Sequence, residues 1–259
     1  MNFKPKLLLI TITFVICTFS LTCGCFGTPS VSKPEQKSLS LNQASTGTQV
    51  DTLESPSVKF GYKKGDIFLM KYQNNDSVSH VILVEQAKDD HSSGTLMLMS
   101  KNERMDWIEL IRCKACLGKN GLDKKQEGDA RTPSGDYGFL MAFGAKEDPG
   151  SLIPYTKLTD SMFLCGDKEY YNQFIDVSKI PHVCSNASEQ LIRYLPQYNY
   201  ALFMDYNMEH IYGKGSAIFL HCFGNYPYTM GCISISEENM VKILKTISST
   251  ARICIYSNL

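Results

Sequence analysis

Residues 217 to 244 read AIFLHCFGNYPYTMGCISISEENMVKIL. Two short apolar runs, AIFLHCF (217 to 223) and CISIS (232 to 236), flank a loop of Gly, Pro and aromatic residues. Runs of this length bounded by turn residues read as strands. Beyond the second run the period changes. Ser236 is an N-cap, Glu237 and Glu238 suit the positive end of a helix dipole, and Met240, Ile243, Leu244 and Ile247 form one apolar face, so the stretch predicts a helix after the strand pair.

The strand signature recurs outward from this stretch, in DIFLMKY (66 to 72), HVILVEQ (80 to 86), TLMLMS (95 to 100), WIELIRC (107 to 113), YGFLMAFG (137 to 144), YALFMDYN (200 to 207) and RICIY (252 to 256). A second, shorter helix is expected over ASEQLIRYL (187 to 195), stopped at Pro196. Helices do not alternate with the strands. The expected fold class is therefore mainly β, a sandwich or barrel-like β core with a few packed helices, and parallel α/β is disfavoured.

With 259 residues, 43% of them hydrophobic, the chain can bury one sizeable core and carry an appendage. Lys plus Arg and Asp plus Glu both total 26. The resulting zero formal charge removes the global basic field a nucleic-acid binder would use, so nucleic acid is not an expected partner. Lys4 and Lys6 precede an apolar stretch from Leu7 to Thr22 and then TCGCFGT, the order of a secretory signal over residues 1 to 27. That stretch would span a bilayer only marginally, which favours a signal peptide over a permanent transmembrane helix. Gly24-Cys25 offers a lipoprotein processing site and hence membrane anchoring at the N-terminus, although Cys23 precedes it and the usual Leu is displaced to Leu21. Cleavage after Gly27, or none, are the alternatives. Residues 28 to 57 are polar and rich in Ser, Thr, Gln and Pro, a flexible tether, and residues 58 to 259 form the folded domain. An exported protein of the cell envelope is the expectation.

The chain has ten Cys. Cys17 and Cys23 fall in the signal and Cys25 at its processing site, which leaves Cys113, Cys116, Cys165, Cys184, Cys222, Cys232 and Cys254, an odd number. At least one thiol stays free or pairs outside the chain. Cys113-Lys-Ala-Cys116 has the spacing of a redox pair or half a zinc site, but no second tightly spaced pair completes it. A Cys165–Cys184 bridge is an option, and no metal is expected.

His221 ends one apolar run and Cys232 begins the next, directly after Gly231, so neighbouring strands would bring imidazole and thiol within reach. A thiol is largely protonated at neutral pH, and an imidazole that takes its proton raises the nucleophilic fraction. Gly231, without a side chain, leaves backbone N–H groups open to a developing oxyanion. The bland alternative is a buried Cys and a core His. The loop GKNGLDKKQEGDARTPSGDYGF (118 to 139) lacks the phosphate-loop pattern and reads as a long structured connection into a strand near Asp136.

The ordered combination of GKNGL, EGDARTPSGDYGF, AFG (142 to 144), YYNQ (170 to 173), GKGSAIFLH (213 to 221) and TMGCISIS (229 to 236) resembles the L,D-transpeptidase catalytic domain family, also called the YkuD family, over roughly residues 78 to 257. The resemblance implies a β-rich domain acting on peptidoglycan stem peptides without metal or organic cofactor. It makes Cys232 the nucleophile, His221 the general base and later acid, and the N–H groups around Gly231 and Cys232 the oxyanion donors. Thr229 occupies the family's Ser or Thr position, and Tyr171, Asn172 and Ser216, with Lys214, fall in segments near the substrate cleft. The chain departs from the family in carrying Met230 where a second His is common, Ile233 and Ser234 where Asn or Arg is common, Cys222 where Gly is common, and a shorter His-to-Cys interval. The same residues would serve a hydrolytic L,D-carboxypeptidase or amidase, and a wall-binding module without turnover is the reading from another class. Oligomeric state is not legible.

Overall fold

A computed structural model describes residues 63 to 185 and 187 to 258, all within one compact unit, Ser57–Leu259. The signal expected over 1 to 27 and the tether over 28 to 57 lie outside the described residues. The strands are β1 (His80–Gln86), β2 (Ser93–Lys101), β3 (Trp107–Cys116), β4 (Gly135–Tyr137), β5 (Phe139–Gly144), β6 (Tyr155–Lys157), β7 (Met162–Cys165), β8 (Gln173–Asp176), β9 (Glu189–Gln190), β10 (Ala201–Met204), β11 (Phe219–Cys222), β12 (Ile233–Ile235) and β13 (Arg252–Tyr256). Two α-helices, α1 (Lys64–Tyr72) and α2 (Glu237–Thr246), accompany them.

The fold is mainly β, with a curled sheet and few helices. Ten strands form that sheet in the order β4-β13-β1-β2-β3-β12-β11-β10-β5-β6, and β8-β7-β9 form a small second sheet. Most neighbours in the large sheet are antiparallel. The pairs β1·β13, β5·β6 and β11·β12 are parallel. Between β11 and β12 the return path is the loop 223 to 232, with no helix in it.

Period-2 alternation divides the apolar residues between two sides. On β1, Ile82 and Val84 enter the main aliphatic core, whereas Val81 and Leu83 pack with Tyr72 and Tyr256 under α1. A strand covered on both faces reads as an unbroken apolar run, as HVILV does. Leu220 and Cys222 of β11 join the aliphatic core, which α2 closes with Met240, Ile243 and Leu244. Phe219 faces the other way into an aromatic cluster with Phe143, Tyr198 and Phe203. The predicted helix at 236 forms as expected, with Ser236 Oγ accepting the Asn239 N–H at 3.3 Å.

Two element assignments change. DIFLMKY, expected as a strand, is α1. Its apolar run has no period of two, while Gly65, Phe68, Leu69 and Tyr72 share one helical face toward the sheet, and Asp66 accepts the Lys63 N–H at 3.1 Å. Gly65 permits the close approach, because a Cβ there would stand 2.4 Å from Tyr256 Oη. The helix expected over 187 to 195 does not form. Leu164 pairs with Glu189 in the small sheet, Leu191 is buried at the start of a short 3-10 turn, Leu191–Arg193, and Ser188 Oγ accepts the Gly166 N–H at 2.9 Å. Tertiary pairing outweighs a weak local propensity.

All seven cysteines among the described residues are free, so neither a Cys113–Cys116 nor a Cys165–Cys184 bridge is present. Cys222 is a small packing residue in the aliphatic core.

Candidate active site

The parallel register of β11 and β12 pairs Leu220 with Ile233 and His221 with Ser234. Phe219, His221, Ser234 and Cys232, which immediately precedes β12, therefore share the face opposite α2, and His221 and Cys232 are diagonal neighbours on adjacent strands. Both line a cleft of about 440 Å³ together with Glu127, Glu189, Tyr198, Ser216, Thr229 and Gly231. A second hollow of similar size, about 450 Å³ and lined by Gln86, His91, Asn120 and Arg131, contains neither His221 nor Cys232.

His221 is 6% exposed. Its Nδ1 lies 2.7 Å from the Cys222 carbonyl oxygen. A carbonyl only accepts, so Nδ1 carries the hydrogen and Nε2 keeps its lone pair for a proton. Burial pushes this imidazole down to about 4, partly countered by the Cys222 hydrogen bond. The ring meets the Tyr198 ring edge-on, with centroids 5.5 Å apart.

The Cys232 sulfur is held from two sides: it donates to the Ala217 carbonyl at 3.0 Å and accepts the Phe219 N–H at 3.4 Å. Burial, and then the negative field of Glu189, push its thiol up to about 12, against the Phe219 N–H and the Lys124 ammonium. The resting pair is thus neutral thiol and neutral imidazole. Burial raises the thiol and lowers the imidazole, so both shifts disfavour a preformed thiolate–imidazolium pair.

The remaining predicted residues take distinct places. Thr229 is buried in the turn before Cys232, donating to the Cys232 carbonyl at 2.7 Å and accepting the Gly231 N–H at 3.1 Å. That bond commits the Gly231 N–H, leaving Gly231 a steric part: its φ is +148°, and a Cβ would approach Arg131 O to 3.0 Å. Ser216 lies on the cleft and donates to Glu127 at 2.7 Å. Tyr171, 2% exposed, donates to the same Glu127 carboxylate and accepts the Gly215 N–H at 3.0 Å. Asn172, also 2% exposed, sits behind the cleft wall. Its amide donates to the Tyr206 carbonyl at 2.9 Å and accepts the Ala217 N–H at 3.1 Å, fixing the residue whose carbonyl holds the sulfur. Lys214 pairs with Glu209 at 3.7 Å.

Residue-by-residue reading missed several contributors. Thr132, within the quoted loop motif, donates to the Cys232 carbonyl at 3.1 Å, so that loop buttresses the backbone of Cys232. Glu189 lines the cleft, accepts the Tyr198 hydroxyl at 2.8 Å and is pushed by burial up to about 7. Nothing in its local sequence marked it, since only the pairing with β7 brings it there. Gln197 Oε1, in the same wall, is buried without a hydrogen-bond partner.

No protein-family model matches the chain, and no curated protein does. Among solved structures, the fold is similar to an L,D-transpeptidase from Mycobacterium smegmatis at 14% identity, with a TM-score of 0.33 over 68% of this chain and 59% of that one. It is also similar to Mycobacterium tuberculosis L,D-transpeptidase 1 at 12% identity, with a TM-score of 0.32 over 68% and 62%. The chain spans about three fifths of the length of these proteins. Likeness at this level carries no residue roles, and the site stands on its own geometry. Among the described residues no helix is long and apolar enough to cross a membrane.

Proposed function

We propose that this chain is a cysteine acyltransferase of the L,D-transpeptidase type, acting on peptidoglycan stem peptides in the cell envelope. One observation supports the reading: Cys232 and His221 line a single cleft, and the His221 Nδ1–H is tied to Cys222 O, which leaves Nε2 free to serve as the base. The Cys232 thiol turns from Ala217 O, passes its proton to Nε2 and attacks the carbonyl of an L-centre residue. The Cys232 N–H supports the oxyanion. His221 then returns the proton to the departing amine of the D-residue, leaving a thioester. An amine on a second stem resolves it and re-forms the thiol.

The cleft's chemistry suits such ligands. Glu127 and Glu189 give it an acidic wall that attracts an acceptor ammonium group, Tyr194, Tyr226 and Tyr228 give it an aromatic rim, and the partnerless Gln197 Oε1 can accept a peptide N–H.

Purified full-length protein is expected to gain the mass of a carbapenem in a covalent adduct, and Cys232→Ala to gain none while remaining folded. Equal labelling of both would remove the assignment. Incubation with stem tetrapeptides should give crosslinked dimers, whereas trimmed monomers alone would make water the acceptor and the enzyme a carboxypeptidase.

A further inference from the structure

A second group of reactive side chains converges outside the Cys232–His221 pair. Cys165 closes β7, and His182 and Cys184 lie on the chain that returns to β9. Their two sulfurs and imidazole nitrogen all lie within 4.8 Å of one another. Cys165 Sγ stands 3.5 Å from His182 Nε2, and Asp167 Oδ2 stands 3.1 Å from the same nitrogen. A tetrahedral zinc with Zn–S near 2.3 Å and Zn–N and Zn–O near 2.0–2.1 Å requires S···N edges of about 3.5–3.6 Å and N···O edges of about 3.3 Å. The His182 nitrogen thus stands at coordination-shell spacing from Cys165 Sγ and from Asp167 Oδ2, and Cys184 Sγ lies within 4.8 Å of that imidazole and of Cys165 Sγ.

We propose that Cys165, His182 and Cys184, with Asp167 closing the fourth position, hold a single zinc-class ion. Two sulfurs, an imidazole and one carboxylate form a borderline-soft donor set, suited to zinc and not to magnesium or calcium. The sequence supplies them as two short arms, Cys165-Gly166-Asp167 and His182-Val183-Cys184. The supporting contacts are those a fixed site needs: the Asp167 carboxylate accepts the Ser185 N–H at 2.9 Å and the Ser185 hydroxyl, and the Tyr170 ring packs on His182 with centroids 4.6 Å apart. Binding converts both thiols to thiolates and releases their two protons, so uptake weakens as pH falls.

The ion ties the end of β7 to the segment leading into β9. Leu164, Ala187 and Glu189, which border that junction, line the cleft, so the metal acts as a staple for the acidic wall. The sequence reading, which expects no metal, counts no ligand beside Cys184, and His182 two residues earlier is that ligand. A Cys165–Cys184 disulfide, ordinary in an exported protein, would use two of the four donors and leave the imidazole and carboxylate with no part.

The full chain, purified with reductant and passed through gel filtration after exposure to zinc, is expected to retain one zinc per chain by elemental analysis. Replacement by cobalt should give thiolate-to-cobalt charge-transfer absorption. Cys184→Ser and His182→Ala should each weaken zinc binding at least tenfold, and Cys113→Ser should leave it unchanged. Cys232→Ala should also keep the metal, which separates this site from the proposed acyl chemistry. Should either ligand variant fail to fold, Asp167→Asn, nearly isosteric, and the cobalt spectrum of the wild type decide. No retained zinc, undiminished affinity in Cys184→Ser, or a peptide pair joined through Cys165 and Cys184 and two hydrogens lighter in protein purified without reductant would overturn the proposal.

Discussion

The two faces of β11 and β12 differ in what they were built to exclude. On one, Leu220, Ile233 and Ile235 are sealed beneath α2 in an aliphatic core with Met240, Ile243 and Leu244. On the other, one residue along each strand, Phe219, His221 and Cys232 adjoin aromatic rings, and His221 and Cys232 open onto a cleft edged by two carboxylates. The same backbone serves both faces because side chains alternate along a strand. Rigidity comes from the sealed face and reactivity from the open one, so damage to each should be separable.

The largest expected effect lies on the open face. His221→Gln removes the proposed base and should slow acylation of Cys232 by about 10²–10⁴, read by the rate of carbapenem adduct formation, with little change in melting temperature. A melting temperature that fell with the rate would mean that His221 serves the core instead. On the sealed face, Ile243→Ala should cost about 2–5 kcal/mol in urea unfolding, while acylation per folded molecule stays near wild type.

The imidazole also couples the faces through pH. Native His221 stays neutral down to about 4, whereas in the unfolded chain it takes its proton near 6.5. The unfolded state binds more protons in that window, so stability rises with pH through it, and about 3 kcal/mol from this group is lost between pH 7 and 4. Glu189 acts in the opposite sense: raised from 4.5 to about 7, it holds a proton in the fold that the unfolded chain has shed, and its contribution fades as pH rises through 7. Comparing unfolding of wild type with His221→Gln across pH 4 to 7 isolates the first slope. No difference between the two curves would mean that the ring is not held neutral.

Two smaller effects sharpen the contrast further. Glu189→Gln removes a negative field from the Cys232 thiol and should speed its alkylation by iodoacetamide at pH 8 severalfold, since each pKa unit lowered multiplies the thiolate fraction by about ten. Unchanged alkylation would place Glu189 electrically remote from the sulfur. Ser236→Ala removes the cap of α2 and should cost about 1 kcal/mol, without altering that alkylation.

Much of this was legible beforehand, for reasons that differ by residue. RICIY is read to the residue, because a strand bounded by loops and buried on both sides shows as an unbroken apolar run. α2 is legible because its cap, its first-turn acids and its apolar face all lie within a dozen residues. DIFLMKY failed because a short apolar run has no period to decide helix from strand. Tyr171 and Asn172 stand in the quoted segment, but only the folded chain shows them bracing Glu127 and Ala217 from behind.

The sequence alone determined a mainly β domain with a capped helix following Ser236, and His221 and Cys232 on consecutive strands, because those signals are local in the chain. Tertiary structure decided that the strands are parallel neighbours, that the sulfur rests on Ala217 O, that Glu189 enters the cleft, and that His182 meets Cys165 and Cys184. Such contacts join residues far apart in the chain, and their energies depend on burial and pairing that no local pattern encodes.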